Sequence, residues 1–550
     1  MPSKDSLLIV LLWNLTAANA AFGLQGKGEE GNQMAEEQAI VDHSSNSPKK
    51  VDGGCLPDWE LAELPAPPPF QFGRAFRGVL GPGIIALGAS IGSGEWLLGP
   101  KITVQYGGTL LWIATIAIVL QSILNTESIR YTLYTGEPMF SGFMRCRPGS
   151  KFWSIVYLIT DLGGIWPAWA MTAATALAAA WLGYLPSDDL LSDQNTVRLF
   201  AYLIFFACLL IVTFGGKVYN ALEKVQLVAV VIIISYLVVI DLTMVSAQTW
   251  WVVIKGFFSF GQLPEPKSAG NNIDWMLIGA FAAYAGSGGL GNVTISNYVR
   301  DKGWGMSRLV GAIPSVFGGH QITLSHFGKV FPTTTDNLDK FREWWKYNRF
   351  EQYGIWGVGC FIGLALPAMM AVEFVDPNAA ISSNFSAAAL QAEGIAQKSG
   401  SQLLWNLTLL CGFWVLFSTQ LGNMDSVPRR YADIIWTGWI GENRNIRQTN
   451  ENNGQIKWIY YAIMVAYVVW GIIAIYVAKP LQMVIISATI GGFQLVVTSL
   501  HALYVNRRFL PSEIQPPLWR QFGLFLCAGF YTVFACMTVY YKVLLPYVFS

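Results

Sequence analysis

Long apolar segments without charges recur along this 550-residue chain, and they constrain its fold more than any other feature. A helix needs about 20 mostly apolar residues to cross roughly 30 Å of hydrocarbon. Eleven segments have this character, near residues 79-100, 107-129, 152-183, 199-215, 222-247, 275-298, 352-373, 402-423, 457-478, 481-504 and 521-546. With 53% hydrophobic and 13% charged residues, the composition favours an all-α integral membrane protein with eleven transmembrane helices.

Basic residues are distributed unevenly between the loops that join these segments. If the N-terminus lies in the cytoplasm, 22 Lys and Arg residues fall on the inner side of the predicted spans and seven fall on the outer side. This asymmetry follows the positive-inside rule. We therefore predict a multi-pass protein of the cell membrane, inner or plasma, with a cytoplasmic N-terminus. The net charge of +1 provides no basic field that would attract nucleic acid.

The predicted domain organisation is a polar cytoplasmic tail, residues 1-77, followed by a transmembrane domain, residues 78-550. The tail begins with weak features of a signal peptide, and Met34 is an alternative start, so it stays open whether residues 1-33 are translated or act as a signal. The proline-rich stretch from Pro65 to Pro69 predicts a stiff linker into the first span. We assign the tail no function.

The first predicted span is interrupted by glycines and contains one carboxylate. Gly88, Gly92 and Gly94 precede Glu95 within an apolar run that has no other charge between residues 80 and 100. Non-helical backbone in hydrocarbon is tolerated where it is buried in protein or lines a water-filled cavity, and charged residues there usually face a solute pathway. We therefore expect Glu95 to line a binding site for a transported solute.

A second interruption lies at the middle of the sixth predicted span, where residues 285-291 contain four glycines and no charge. When residues 79-247 and 275-504 are taken as two repeats of five spans, each repeat is interrupted in its first span, and residues 521-546 form an extra helix. This pattern is typical of inverted-repeat transporters, which bind their substrates near the bilayer midplane between the broken helices.

Other polar groups within the predicted spans are few. Asp161 is the only charge in the third span and is the best candidate for proton coupling. Glu127 and Arg130 are three residues apart at the inner end of the second span, where they can pair as a gate or packing element. His501 could relay protons or form a structural hydrogen bond. Asp241 lies near the end of the fifth span and is expected to be interfacial.

Several motifs occur in the order in which the Nramp family of divalent-metal transporters has them. They are Gly81-Pro82 at the start of the first span, Leu120-Gln121 and Thr135-Gly136 near the end of the second, Thr160-Asp161 in the third, Leu222 to Val225 at the start of the fifth, Ser418 to Asn423 in the eighth and Leu481 to Val484 in the tenth. The chain therefore resembles a divergent member of this family from about Gly81 to the eleventh span. The resemblance implies alternating-access transport of a divalent metal ion, coupled to protons.

The metal-binding motifs of the family are altered in this chain. The positions that correspond to its Asp-Pro-Gly-Asn motif read Gly-Ser-Gly-Glu, and those of its Met-Pro-His motif contain no sulfur or imidazole. A site with only oxygen ligands favours hard cations such as Mg²⁺, Mn²⁺ or Ca²⁺, which would be substrates, and no resident cofactor is expected. The predicted binding residues are Gly92, Ser93, Gly94, Glu95, Ala285, Gly286, Ser287 and Gln482, with Tyr284 as a further lining residue.

An alternative interpretation rests on the same glycines. Gly92-Ser93-Gly94 also resembles the first broken helix of amino-acid permeases, a related superfamily in which backbone N-H groups receive the substrate carboxylate. In that case Glu95 would pair with the ammonium group of an amino acid or amine. The predicted function is thus secondary transport of a divalent cation, or alternatively of an amino acid or amine. The predicted partners are a small cationic substrate and the lipid bilayer, the oligomeric state and the coupling ion stay open, and no enzyme is expected because no catalytic cluster is evident.

Overall fold

The computed structural model describes residues 50–545 except 72, 188, 214–217, 264–272, 312–326, 377–387 and 441–454. The helices of the first half are α1 (Arg74–Val79), α2 (Pro82–Ser90), α3 (Gly99–Tyr106), α4 (Leu111–Thr135), α5 (Met139–Met144), α6 (Ser150–Thr160), α7 (Ala168–Leu182), α8 (Leu191–Thr213), α9 (Val218–Met244) and α10 (Ala247–Phe257). Those of the second half are α11 (Trp275–Tyr284), α12 (Leu290–Lys302), α13 (Thr335–Arg349), α14 (Val358–Phe374), α15 (Leu390–Ser399), α16 (Gln402–Ile435), α17 (Gln455–Val477), α18 (Pro480–Phe509) and α19 (Leu518–Val539).

Several of these helices are joined or extended by short helical turns of other types. π-Helical turns occupy Gly94–Leu98 before α3, Phe350–Gly357 between α13 and α14, Trp436–Ile440 after α16 and Tyr540–Leu544 after α19. Turns of 3₁₀-helix occupy Gly108–Leu110, Asp161–Gly163, Gly305–Leu309 and Ser512–Ile514. The turn at Asp161–Gly163 separates α6 from α7 and therefore divides the third predicted span.

Nine helical segments of the described chain are long and apolar enough to cross a membrane. They correspond to the predicted spans other than the first and the sixth. Many of their large apolar side chains are exposed, an arrangement that is unfavourable in water and favourable when those side chains face lipid. The chain is therefore an integral membrane protein, while the count of eleven spans stays a prediction because the remaining two are broken.

Both predicted interruptions are present. In the first, the helix ends at Ser90 and resumes with the π-helical turn at Gly94. In the second, α11 ends at Tyr284 and α12 begins at Leu290. Gly289, the last residue of this break, has a φ of 61°, a left-handed conformation that glycine adopts without strain.

The two breaks contact each other through their backbones. A Cβ atom placed on Gly94 would lie 1.6 Å from the carbonyl oxygen of Tyr284, which is closer than any two such atoms can approach. Glycine at position 94 therefore allows the first broken helix to pass directly against the end of α11.

A small three-stranded sheet is the one departure from the predicted all-helical fold among the described residues. It consists of β1 (Lys50–Val51), β2 (Trp59–Leu61) and β3 (Lys329–Val330). β1 pairs antiparallel with β2, and β2 pairs parallel with β3. The sheet attaches the segment that precedes the first broken helix to the loop between α12 and α13. The described part of the predicted tail is therefore packed on the membrane domain.

Candidate solute-binding site

A cavity lies between the two helix breaks. The centre of a water molecule can occupy about 70 Å³ of it, which is room for a few waters or a small solute. Its lining comes from both broken helices and from the elements packed around them: Ala86, Ala89, Ser90, Ser93, Gly94, Asp161, Gly164, Trp169, Tyr284, Gly286, Ser287, Gly288, Leu290, Gly291, Thr294, Tyr298, Thr419, Asn423, Ser426, Arg430, Ser487, Gly491 and Gln494. The structure thus has a polar cavity at the place where the sequence predicts a substrate site.

Serine hydroxyls connect the two breaks within this cavity. The Oγ atoms of Ser90 and Ser287 are 2.7 Å apart, so one donates a hydrogen bond to the other. The indole of Trp356 donates to Ser90 Oγ at 3.0 Å, and the indole of Trp169 donates to Ser93 Oγ at 3.0 Å. These hydroxyls are therefore oriented by buried tryptophans on neighbouring elements.

Asp161 and Arg430 supply the charges among the residues that line the cavity. Arg430 Nε donates to Asp161 Oδ2 at 2.5 Å, and both side chains are almost completely buried. Arg430 Nη1 donates to Ser426 Oγ at 3.1 Å, and Gln494 Nε2 donates to Asp161 Oδ1 at 3.0 Å. The cavity therefore contains one ion pair of zero net charge, with a guanidinium that has further donors to offer.

Gln494 connects this ion pair to the second broken helix. Its Oε1 accepts a hydrogen bond at 3.0 Å from the backbone N-H of Leu290, the first residue of α12. The same side chain donates through Nε2 to Asp161 and to the carbonyl of Thr160. One amide thus fixes the position of the α12 N-terminus relative to the third span.

The carbonyl ends of the two half-helices that precede the breaks are already hydrogen-bonded to side chains. Four donors reach them: Ser418 Oγ to Gly88 O at 3.0 Å, Thr419 Oγ1 to Ile91 O at 3.3 Å, Gln121 Nε2 to Ala283 O at 3.1 Å and Tyr531 OH to Ala282 O at 3.1 Å. Unwound carbonyls are the groups that coordinate cations in broken-helix transporters. Here donors from α4, α16 and α19 bond one carbonyl of the first break and three in the last turns of the half-helices, and the N-terminal ends that follow each break also adjoin the cavity.

Glu95 does not line the cavity, in contrast to the sequence-based expectation. Its side chain is fully buried, and its Oε2 accepts a hydrogen bond from the backbone N-H of Gly92 at 2.9 Å. The Oε1 atom has no hydrogen-bond partner among the described residues. Because the π-helical turn begins at Gly94, the carboxylate folds back over the break that precedes it.

The other predicted binding residues divide into two groups. Ser93, Gly94, Tyr284, Gly286 and Ser287 line the cavity, whereas Gly92 and Ala285 are in the breaks without lining it. Gln482 is exposed near the start of α18 and lies outside the cavity. The glutamine of α18 that reaches the cavity is Gln494, which the sequence reasoning did not single out.

The sequence reasoning also missed Arg430, which it assigned to an inner loop. The eighth predicted span ends at residue 423, but α16 continues to Ile435 and carries Arg430 to the cavity wall. The sequence did contain a sign that the helix continues. Between Asn423 and Arg430 there is no glycine, and Pro428 is the one residue that disfavours a helix. Asp425 and Arg429, four residues apart, also indicated a continuing helix because they form an ion pair at 2.8 Å.

The remaining polar candidates lie outside the cavity lining. Glu127 and Arg130 form the predicted ion pair, at 2.7 Å, and Arg520 joins them. His501 Nδ1 is 2.8 Å from the hydroxyl of Tyr157, and its ring stacks on an aromatic neighbour. These contacts are structural in character, and any gate or relay role stays a prediction.

Asp241, expected to be interfacial, lies three residues before the end of α9. The side chain is fully buried, and neither carboxylate oxygen has a hydrogen-bond partner among the described residues. The Trp250 indole of α10 donates to the backbone carbonyl of Asp241 at 3.2 Å.

Side chains that could hold a metal ion do not converge in the described part of the chain. No group of three or more His, Cys, Asp or Glu side chains lies together there. The one carboxylate that lines the cavity, Asp161, is engaged by Arg430. The charged groups that line the cavity in this conformation therefore belong to a single ion pair.

Comparison with known proteins finds similar folds among solved structures but no similar sequences. No protein-family model matches the sequence, and no curated protein matches it. Among solved structures, the Eremococcus coleocola manganese transporter is similar. A mutant of it in which a histidine is replaced by alanine superposes with a TM-score of 0.58 at 13% identity, covering 88% of this chain and 90% of that one.

Two further structures of the same transporter agree. A mutant in which a glutamate is replaced by glutamine has a TM-score of 0.58 at 14% identity, again covering 88% of this chain and 90% of that one. The complex with an aromatic bis-isothiourea substituted compound has a TM-score of 0.56 at 14% identity, covering 87% and 90%. This integral membrane protein therefore has the Nramp-like transporter fold, consistent with the divergent Nramp-family member that its sequence resembles.

Proposed function

We propose that this protein is a secondary transporter that moves a small carboxylate-bearing solute, of the amino-acid class, by alternating access through the cavity between its broken helices. The observation that supports this substrate class is the convergence of Arg430 with the N-terminal ends of the two half-helices that follow the breaks. Helix N-termini carry partial positive charge that stabilises a nearby anion. The N-H groups of Gly92 and Leu290 at these ends are capped by Glu95 and Gln494, so direct donation to the solute falls to Arg430. A guanidinium adds a planar fork that matches a carboxylate.

The partner of the ammonium group is Asp161. In the present conformation Asp161 and Arg430 neutralise each other, which stabilises a charge pair within a buried cavity. A zwitterion offers a carboxylate to Arg430 and an ammonium group to Asp161. Its binding would replace the ion pair between Asp161 and Arg430 by two ion pairs with the solute. Two aromatic side chains, Trp169 and Tyr284, line the same cavity with ring centroids 5.9 Å apart, and they limit the size of the solute.

A divalent cation remains the second candidate substrate, and two observations favour it. The fold is shared with a manganese transporter, and the Oε1 atom of Glu95 is buried without a hydrogen-bond partner among the described residues. For Glu95 to bind Mg²⁺, Mn²⁺ or Ca²⁺, its carboxylate would have to leave the Gly92 N-H and turn toward the cavity. Asp161 would then be the proton-coupling group, released from Arg430.

Uptake into proteoliposomes distinguishes the two substrates. Labelled amino acids are compared with Mg²⁺, Mn²⁺ and Ca²⁺, under an imposed proton gradient and without one, for the parent, Arg430→Lys, Arg430→Gln and Glu95→Gln. We expect saturable amino-acid uptake that Arg430→Gln abolishes and Arg430→Lys partly retains. Arg342→Gln, which changes an exposed arginine on α13, is the matched control and should transport like the parent.

Cation uptake that Glu95→Gln abolishes, with no amino-acid uptake in the parent, would overturn the amino-acid proposal in favour of the cation. Each variant is first checked for a single symmetric peak in size-exclusion chromatography. This check matters for Arg430→Gln, because removing one member of a buried ion pair leaves the other uncompensated. The double variant Asp161→Asn/Arg430→Gln removes both charges and keeps the test interpretable if the single variant does not fold.

A further inference from the structure

We propose that residues 50–70, named here the strap, act as a releasable clamp that holds the cavity closed toward the face of the protein on which the strap lies. The proposal rests on the alternating-access function above, but not on which solute is carried. In such a cycle the broken helices move against the helices around them. A segment bonded to both parts on one face must let go of one part before the cavity can open there.

The strap is bonded first to the elements that follow the sixth span. The backbone N-H of Leu64 donates to Asn337 Oδ1 at 3.2 Å, and β2 pairs with β3. The indole of Trp344 donates to the carbonyl of Pro65 at 2.8 Å. The hydroxyl of Tyr347 lies 3.1 Å from the carbonyls of both Pro68 and Pro69. Proline residues expose carbonyls without competing N-H groups, so this stretch is well suited to accept from the aromatic side of α13.

The strap is bonded secondly to the end of the tenth span. The rings of Trp59 and Phe509 pack edge to face with centroids 5.8 Å apart. Arg508 Nη2 donates to Asp52 Oδ2 at 3.1 Å. Phe509 is the last residue of α18, the helix whose Gln494 holds the ion pair of the cavity. The strap therefore spans between α13 and α18.

A buried ion pair anchors the middle of the strap. Arg145 Nη1 donates to the carbonyls of Gly53 and Pro57, each at 2.7 Å, and its Nη2 contacts Glu137 Oε1 at 2.5 Å. The Trp59 indole donates to the same Glu137 oxygen at 3.0 Å, and the guanidinium of Arg145 lies 4.0 Å from the centroid of the Trp59 ring. Glu137 and Arg145 lie in the connection between the second and third spans, so a third element is fixed to the same tryptophan.

The strap leads directly into the first broken helix. Phe70 packs against Phe76 of α1, with ring centroids 5.1 Å apart, and α2 follows at Pro82. The start of α2 is itself held by Glu351, whose two carboxylate oxygens accept from the N-H groups of Gly81 and Gly83. Movement of α2 is therefore transmitted to the strap, and a fixed strap restrains α2.

The test measures access to the cavity rather than transport. Asn423→Cys places a thiol on the cavity lining, in a Cys55→Ser/Cys536→Ser background that removes the half-buried cysteine of the strap and the exposed one, leaving the five buried cysteines. An impermeant maleimide is added to either face of reconstituted vesicles, for the parent strap, Trp59→Phe and Trp59→Ala. Arg342→Gln is the control, because Arg342 is exposed on α13 and pairs with neighbouring Asp339.

We expect Trp59→Ala to raise the labelling rate from the strap face several-fold and to lower it from the opposite face, with Trp59→Phe between the two. Labelling from the strap face that does not change in folded Trp59→Ala protein would overturn the proposal. A uniform increase from both faces would do so as well, because it would indicate general loosening.

A second measurement does not depend on weakening the fold. Asp52→Cys and Arg508→Cys are joined by a short bismaleimide, which fixes the strap to the end of α18. Cross-linking should stop both the labelling of the cavity thiol from the strap face and the uptake of solute. The variants with only Asp52→Cys or only Arg508→Cys, treated with the same reagent, should keep both. Continued labelling from the strap face after complete cross-linking would contradict the clamp. If maleimide labelling of the cavity thiol responds as expected but no amino acid is taken up, the proposal that the strap is a clamp is supported and the proposed substrate is wrong.

Discussion

The two broken helices are stabilised in different ways. The first break has a cap from its own chain, because Glu95 turns back to accept from the Gly92 N-H three residues earlier, in addition to donors from Ser418 and Thr419 of α16. The second is held by glutamines from other helices, with Gln121 reaching the end of α11 and Gln494 reaching the start of α12. A break capped by a local side chain keeps its shape when its neighbours move, whereas a break held from outside changes with them. The first break thus keeps its local cap when α16 moves, whereas the second is linked through Gln494 to the ion pair in the cavity.

The largest expected effect comes from crowding the contact between the two breaks. Gly94→Ala places a methyl group on the Tyr284 carbonyl oxygen, and this contact cannot be relieved by a flexible side chain. We expect a loss of about 3 kcal/mol or more of folding stability, at the upper end of overpacking costs, and loss of uptake. Thermal unfolding followed by fluorescence size-exclusion chromatography measures it.

Gly529→Ala is the matched control for that substitution. Gly529 lies in α19 with open space where a Cβ would be, so alanine there should leave the protein as stable or slightly more stable. A Gly94→Ala protein that unfolds at the same temperature as this control would contradict the fixed contact between the breaks.

The next effect tests the external support of the second break. Gln494→Leu leaves the Leu290 N-H and Asp161 without their amide partner, and each unsatisfied buried group costs about 1–3 kcal/mol. We expect lower stability and uptake reduced by at least about tenfold, since roughly 1.4 kcal/mol corresponds to a factor of ten. Gln482→Leu alters an exposed glutamine of the same helix and should change neither. Equal behaviour of the two variants would show that α12 does not depend on Gln494.

A smaller effect is expected at Glu95, where the first break supplies its own cap. Glu95→Gln keeps an oxygen that can accept from Gly92, so stability should hardly change, whereas Glu95→Ala should cost about 1 kcal/mol for one lost hydrogen bond. Under the amino-acid proposal, uptake by Glu95→Gln remains within a few-fold of the parent. Stability and uptake are measured on the same preparations, so that loss of transport without loss of stability would identify Glu95 as a ligand.

The smallest effect concerns pH at the ion pair of Glu137 and Arg145 that anchors the strap. Burial alone would raise the pKa of Glu137, but the Arg145 guanidinium and hydrogen bonds from Arg145, the Gly328 N-H and Tyr131 hold the pKa of this carboxyl below its usual range. A lowered folded-state pKa stabilises the protein above the unfolded pKa, and this contribution is lost as pH falls through the folded pKa.

Thermal stability should therefore fall below about pH 4, near the pKa of an unperturbed glutamate. In Glu137→Gln this part of the pH dependence should be absent and the stability at neutral pH lower. If the thermal stability of Glu137→Gln falls at low pH as it does in the parent, the Glu137 carboxyl is not the cause of that fall. Arg508→Gln, at the exposed pair with Asp52, is the control and should leave most of that fall in place.

Sequence patterns predicted the parts of this molecule that are set by local composition. The apolar segments, the two glycine-rich breaks and the Glu127–Arg130 pair follow from periodicity and spacing within one stretch of chain. Arg430 and Gln494 could not be found in this way, because their roles depend on how far a helix continues and which of its faces meets another. Glu95 lies directly after the predicted break, and its orientation depends on one π-helical turn that composition does not reveal.

The contact of Gly94 with the Tyr284 carbonyl also determines how the range of accepted solutes could be changed. At this point the two breaks meet main chain against main chain, so no side-chain truncation there can make room between them. Engineering toward bulkier cargo must instead proceed through the rings of Trp169 and Tyr284, which can be trimmed without moving the backbone. The size of the cavity, set by these two rings, can therefore be changed separately from its charge, which is set by Asp161 and Arg430.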